Sequence, residues 1–76
     1  MSQTTKILKI GDKSEHVKNV QALLKSAGYS LTIDGNFGKE TDFTVKDFQG
    51  SKGLKPDGIV GSKTWEHLLK ISQQNS

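Results

Sequence analysis

Cysteine and arginine are both absent from this 76-residue chain, and each absence excludes a class of site. Without cysteine there is no disulfide, no zinc–thiolate site and no cysteine nucleophile. All eleven cationic side chains are lysines, so the arginine fork that reads guanines or phosphates bidentately is missing. The lysines are scattered among eight carboxylates, and the formal charge of +3 therefore indicates a solvated surface rather than a nucleic-acid-binding one.

Long apolar runs are missing as well. No run approaches the length needed to cross a bilayer, and residues 1–5 lack the apolar middle of a signal peptide. We therefore expect no membrane partner and, for a protein that acts outside the cell, export by means that this chain does not encode. Apolar residues make up 32% of the chain, which suffices for one thin core if they are placed periodically.

The clearest positive feature is an internal repeat. The pattern D-G-x-[FV]-G-x-x-T occurs at residues 34–41 and again at residues 57–64. Aspartate before glycine predicts a turn, because the carboxylate accepts nearby backbone amides and glycine adopts a positive φ without steric cost. Phe37 and Val60, inside the two turns, are expected to enter the core. Such turn-plus-helix units share one core because neither buries its apolar face alone.

Apolar residues recur at helical spacing in three places. Ser14 is the expected N-cap of the first helix, and Gly28 supplies the left-handed residue that ends it. In the last helix we expect Trp65, Leu68 and Leu69 to be buried. The predicted helices span residues 14–27, 39–50 and 62–71.

The predicted fold class is all-α, a compact three-helix bundle that contains the two pseudo-repeated turn-plus-helix units. Residues 1–9 are expected to form an N-terminal arm, and residues 10–71 the domain. The polar residues 72–76 are expected to form a flexible tail or linker.

The ordered set of motifs resembles a known family, the three-helix peptidoglycan-binding domain attached to bacterial and phage cell-wall hydrolases. The resemblance covers roughly four-fifths of the chain, from Ile10 to Leu69. One D-G-x-F-G motif is weakly specific, but the whole set in order is strongly specific. The matching segments are Gly11, Val17-x-x-Val20-Gln21-x-x-Leu24, Gly28-Tyr29, the first repeat, Val45-x-x-Phe48-Gln49, Gly53-Leu54, and the second repeat with Trp65 and Leu68.

The resemblance implies a non-catalytic module that binds peptidoglycan, through its glycan strand or its stem peptide, and targets an attached or partner wall hydrolase. It implies no cofactor, no metal and a location in the bacterial cell wall or outside the cell. We expect a binding groove where the two D-G turns and the helix starts meet, since free helix N-terminal amides suit carboxylates and sugar hydroxyls. The candidate ligand-binding residues are Tyr29, Asp34, Gly35, Asn36, Phe37, Gly38, Asp57, Gly58 and Gly61.

Several polar residues have a structural and a functional interpretation. Gln21 and Gln49 lie beside the apolar stripes, where each amide either bonds loop backbone or faces a ligand groove; we favour the structural role. Asp34 and Asp57 resemble the carboxylate pair of a glycosidase, but capping of the turns already explains both, and no catalytic residue is predicted.

The histidines and aromatic residues are interpreted in the same way. His16 and His67 are solvated helix residues, because no third or fourth zinc ligand accompanies them. Trp65 is more consistent with core than with a sugar-stacking platform, whereas Tyr29 and Phe43 are the candidates for exposed aromatic contacts.

Two other functions are compatible with a small helical domain. A helix-turn-helix nucleic-acid binder is permitted by the short helices and the positive charge, but arginine and a basic recognition helix are missing. A protein-interaction adaptor is the stronger rival, because fold alone does not distinguish it from a wall-binding module. An enzyme is the least consistent with the sequence.

Overall fold

The computed structural model describes residues 7–74, and within them the chain forms three helices. These are α1 (Glu15–Ser26), α2 (Lys39–Ser51) and α3 (Ser62–Gln74), and α1 packs against both of the others. The predicted all-α three-helix fold is confirmed. In the described range, no helix is long and apolar enough to cross a membrane.

The ends of α1 are formed by the residues that the sequence singles out. Ser14 is the N-cap, and its Oγ accepts a hydrogen bond from the Val17 amide at 3.3 Å. Gly28 follows the C-cap with a φ of +105°, a conformation that glycine adopts without steric cost. Its amide donates to the Lys25 carbonyl at 3.0 Å, which satisfies one of the last carbonyls of the helix.

The core is a single cluster of buried apolar side chains from all three helices, the segments between them and the segment that precedes α1. The predicted burial of Trp65 and Leu68 is confirmed, but the predicted burial of Leu69 is wrong, because 48% of that residue is exposed. Successive helix residues point about 100° apart, so Leu69 turns away from the face that Leu68 buries. The core residues are Leu8, Val17, Val20, Leu24, Leu31, Phe37, Val45, Phe48, Val60, Trp65 and Leu68.

The segment of residues 8–13 runs beside both D-G turns and joins them. Leu8 and Val60 exchange two backbone hydrogen bonds, of 2.8 and 3.2 Å. Further along, the Phe37 amide donates to the Asp12 carbonyl at 2.8 Å and the Phe37 carbonyl accepts from Gly11 at 2.9 Å. Leu8 belongs to the predicted N-terminal arm, yet its side chain is 1% exposed and lies in the core.

The predicted domain limits stay predictions. Residues 1–6 of the expected arm and residues 75–76 of the expected tail lie outside the described residues. Residues 72–74 of that tail continue α3, which ends three positions beyond the predicted Ile71.

Candidate functional site

Gln21, on α1, holds the first D-G turn (residues 34–38) through both ends of its side-chain amide. Its Oε1 accepts the backbone amides of Asp34 at 3.0 Å and Gly35 at 2.8 Å. Its Nε2 lies within hydrogen-bond distance of the Asn36 carbonyl at 3.0 Å, Thr41 Oγ1 at 2.9 Å and Asp34 Oδ1 at 3.1 Å. The glutamine is completely buried, so these bonds replace those that water would otherwise make.

Gln49, on α2, holds the second D-G turn (residues 57–61) in the same way. Its Oε1 accepts the Gly58 amide at 2.9 Å. Its Nε2 reaches the Ile59 carbonyl at 2.9 Å, Thr64 Oγ1 at 3.0 Å and Asp57 Oδ1 at 3.2 Å. The structural interpretation of the two glutamines is therefore confirmed, since both amides bond turn backbone.

The repeating unit is longer than the turn motif alone. Each turn is preceded by a helix that carries V-x-x-[VF]-Q, at residues 17–21 of α1 and 45–49 of α2. The sequence contains this signal, but a comparison restricted to the D-G motifs misses it, because the helix-to-turn spacing differs between the two copies. A buried glutamine, a buried glycine, a buried threonine and an exposed aspartate thus form one hydrogen-bonded unit that occurs twice.

The carboxylates of the two turns have the capping role that the sequence predicts. Asp34 Oδ1 accepts the Asn36 amide at 2.9 Å, and Asp57 Oδ1 accepts the Ile59 amide at 2.9 Å. The Asn36 amide, and then the Gln21 side chain, hold the pKa of the Asp34 carboxyl below its usual value. Both carboxylates therefore hydrogen-bond to the backbone of their own turns, which agrees with a structural rather than a catalytic role.

The predicted ligand-binding residues differ in accessibility. Phe37 is 2% exposed and fills the core, so its side chain is closed to any ligand. Gly35 and Gly58 are also buried, and their φ values of +80° and +77° set the shape of the turns. The other predicted residues are exposed (Asp34, Asn36, Gly38, Asp57) or half-buried (Tyr29, Gly61).

Each D-G turn lines its own concave surface, rather than the single shared groove expected from the sequence. The physical reason is that each turn is tied to its own glutamine, on different helices. The first-turn groove, about 400 Å³, is lined by Lys13, Ser14, Glu15, Lys18, Asp34, Gly35 and Asn36. The second-turn groove, about 300 Å³, is lined by Gln49, Leu54, Lys55, Asp57, Ile59, Gly61, Ser62, Lys63 and Thr64.

The aromatic side chains of the described residues line neither groove. Tyr29 packs edge-on against Phe48, with ring centroids 6.1 Å apart, and its hydroxyl is 3.2 Å from Ser51 Oγ. Phe43 is 72% exposed on α2, and Trp65 is buried at 6% exposure. No aromatic residue is among the described residues that line either groove.

The lysines of the two grooves have different surroundings. At the first-turn groove, Lys18 Nζ lies 3.8 Å from the Glu15 carboxylate, while Lys13 makes no ion pair with any described residue. At the second-turn groove, Lys55 and Lys63 make no ion pair with any described residue. Sequence reasoning did not select these lysines, because scattered lysines in a sequence do not indicate which of them share a concave surface. Within the described range, no three histidine, aspartate or glutamate side chains are grouped to hold a metal.

Comparison with known proteins gives consistent matches. A family model described as "Putative peptidoglycan binding domain" matches residues 13–68. The chain is 44% identical over 65 residues to "Probable N-acetylmuramoyl-L-alanine amidase" of Bacillus licheniformis. This alignment covers 82% of this chain and 18% of the amidase. The SleB N-terminal domain has a similar structure (TM-score 0.84, 34% identity, 91% of this chain and 96% of that domain). So does the Burkholderia AP3 phage endolysin (TM-score 0.81, 43% identity, 83% of this chain and 24% of the endolysin).

The chain spans only part of its longer relatives. It covers 18% and 65% of the lengths of the first two curated relatives that it matches. The family match, residues 13–68, includes both D-G turns and both buried glutamines. The similarity thus covers the repeated structural unit described above, and not the remaining domains of the longer proteins.

Proposed function

Because this chain belongs to the peptidoglycan-binding domain family, we propose that it holds a wall-lytic enzyme against the bacterial cell wall. As a member of that family it is a binding module and not an enzyme; in its longer relatives, catalysis belongs to other domains. The observation that carries the proposal is the family match over residues 13–68, which spans both turns. The named amidase and the phage endolysin support the hydrolase partner.

The proposed mechanism is an increase in effective concentration. Peptidoglycan is a densely repeated polymer, so even a weak binding site remains close to a free repeat after each dissociation. A catalytic domain tethered to such a site meets its substrate more often than its bulk concentration would allow. No chemical step at the module itself is required.

We place the ligand contacts on the exposed edges of the two D-G turns. Exposed Asp34, Asn36 and Gly38 form this edge at the first turn, and exposed Asp57 with half-buried Gly61 forms it at the second. Gly35, Phe37 and Gly58 contribute through backbone conformation and packing, because they are buried. Binding by a pre-organised surface avoids the entropy cost of ordering a loop, and the buried glutamines supply that pre-organisation.

Tyr29 is the weakest of the predicted contacts. Its ring is packed against Phe48 and its hydroxyl is within hydrogen-bond distance of Ser51, so a ligand would have to compete with contacts already made. It lines neither turn groove. We therefore expect Tyr29→Phe to leave peptidoglycan binding unchanged.

The targeting role is tested by attaching the chain to the catalytic domain of a wall hydrolase and measuring lysis of purified sacculi. At enzyme concentrations far below saturation, the fusion should lyse sacculi faster than the isolated catalytic domain. At saturating enzyme, the two rates should converge, because tethering raises local concentration only. The matched control is the isolated catalytic domain with the chain added separately. Equal lysis by the fusion and this unlinked mixture at low concentration would overturn the targeting proposal.

A further inference from the structure

Of the two turn surfaces, we propose that the second-turn groove is the main ligand site and that it takes the carboxylate-bearing peptide stem of peptidoglycan rather than the glycan strand. The inference rests on the proposed function and deepens it. Lys55 and Lys63 are assigned as the partners of a stem carboxylate. Leu54 and Ile59 are assigned as the apolar floor.

The composition of the two grooves favours the second. Ligand sites combine apolar surface with a few polar groups that fix orientation. Leu54, which is half-buried, and Ile59, which is 40% exposed, line the second-turn groove beside its polar residues. The described residues that line the first-turn groove are all polar, charged or glycine, so no leucine- or isoleucine-like side chain is among them.

The charges favour the second groove for an anionic ligand. Its described lining has two lysines and one carboxylate, Asp57, whereas the first-turn groove has two lysines opposed by Glu15 and Asp34. Lys55 and Lys63 make no ion pair with described residues, so their charges are available to a ligand. Asp57 Oδ1 is already bonded to Gln49 and to the Ile59 amide, which keeps this carboxylate in place beside the lysines.

The same residues favour a peptide over a sugar. Sugar rings usually bind with an apolar face against an aromatic ring, and no aromatic residue is among the described residues that line the second-turn groove. Peptide stems carry free carboxylates and short apolar side chains. Two lysines that pair with no described carboxylate, beside leucine and isoleucine, match that chemistry, since an ammonium group pairs with a carboxylate while the alkyl surfaces exclude water.

Hydrogen bonds of the buried Gln49 side chain fix the backbone that forms the second-turn groove. Gln49 fixes the turn backbone and bonds Thr64 Oγ1 at 3.0 Å, which ties the turn to the start of α3. Lys63 lies in that first helical turn and Asp57 in the D-G turn, so their backbones are fixed relative to each other. A stem peptide would therefore meet a site that needs only side-chain adjustment.

Two charge-matched double variants test the inference on purified sacculi. Lys55→Gln with Lys63→Gln removes both lysines of the second-turn groove, and Lys13→Gln with Lys18→Gln removes both lysines of the first. Each pair changes the net charge equally, and thermal unfolding checks that each variant is folded. We expect the second-groove pair to raise the Kd at least about tenfold. The first-groove pair should raise it less than about twofold, because exposed charges away from the ligand contribute little.

Competition then identifies the ligand. Stem peptides released from the same sacculi by an amidase should displace the wild-type chain, whereas the peptide-free glycan strands left by that digestion should not. Equal increases in Kd in the two double variants would overturn the choice of groove. Binding would then be explained by general attraction to the lysine charges. Displacement by glycan strands would overturn the peptide assignment. If the wild-type chain does not bind intact sacculi at all, the proposed function itself fails, and this inference fails with it.

Discussion

Gln21 and Gln49 make the same contact in the two halves of the molecule. Gln21 Nε2 donates to Thr41 Oγ1 at 2.9 Å, and Gln49 Nε2 donates to Thr64 Oγ1 at 3.0 Å. Each glutamine therefore connects its own helix to the first turn of the next one, with the D-G turn held between them. This relationship explains how a small domain without disulfides keeps two exposed turns in fixed shapes.

Replacing either glutamine by methionine should destabilise the domain strongly. Methionine fills a similar volume, but it leaves the buried amide of Gly35 or Gly58 without its acceptor. We expect each variant to lose about 2–4 kcal/mol of unfolding free energy, as for other broken buried networks. Urea unfolding at neutral pH measures the loss. Asn19→Ala, at an exposed position of α1, is the control and should cost less than about 0.5 kcal/mol. A cost that small for Gln21→Met would contradict the role assigned to this network.

Gly58→Ala should cost more than Gly53→Ala, although both glycines have similar positive φ values, +77° and +74°. The strain of a left-handed alanine, about 1–2 kcal/mol, is common to both variants. A methyl group at Gly53 would enter open space, whereas at Gly58 it would meet the ends of the Asp42 and Lys46 side chains, which would have to shift, so the added cost is modest. That shift would disturb the 3.0 Å pair between Asp42 and Lys46. Equal costs in urea unfolding would show that close packing at Gly58 is not required.

Leu68→Ala and Leu69→Ala should differ sharply although the residues are adjacent. Leu68 is fully buried, and its truncation should cost about 2–4 kcal/mol, because a cavity is left in the core. Leu69 is 48% exposed, so its truncation should cost less than about 1 kcal/mol. Thermal or urea unfolding of the two variants decides the point. Similar costs would mean that α3 is rotated relative to the orientation described above.

Acid should weaken the domain partly through Asp34. The pKa of this carboxyl is lowered in the folded state, so its contribution to stability is present above the unfolded-state pKa, near 3.8, and is lost as pH falls through the lower folded-state pKa. Asp34→Asn keeps an oxygen acceptor but does not titrate. We expect this variant to lose less unfolding free energy than the wild type between neutral pH and about pH 3. Parallel urea titrations test this, and identical acid losses in the two proteins would contradict the assignment.

The parts of the fold that depend on local chemistry could be predicted from the sequence. Ser14 caps α1 and Gly28 follows its end because the capping and left-handed preferences of these residues act within one helical turn. The D-G turns likewise depend on neighbouring residues, since Asp34 and Asp57 bond amides only two positions away. The all-α fold followed from helical periodicity between such signals.

The wrong burial of Leu69, and the features that the sequence did not predict, depend on distant residues. Leu68 and Leu69 both follow Trp65 at helical spacing, and the packing of α3 against α1 and the rest of the core decides which of the two is buried. Leu8 forms backbone hydrogen bonds with Val60, which is far along the chain, and no local sequence pattern predicts these bonds. The division of the site into two grooves, with Lys55 and Lys63 at one of them, depends on how the turns pack and could not be inferred from motif spacing.

The central claim, that this chain binds peptidoglycan, is tested most directly by equilibrium co-sedimentation with sacculi stripped of teichoic acid, at salt concentrations of about 0.05 M and about 0.3 M. Chitin, cellulose and a DNA shift assay are the controls. We predict saturable retention on sacculi at both salt concentrations, with no retention on the controls. Retention that disappears at the higher salt, or that is equal on chitin or DNA, would contradict the claim and favour a protein-interaction adaptor on the same fold.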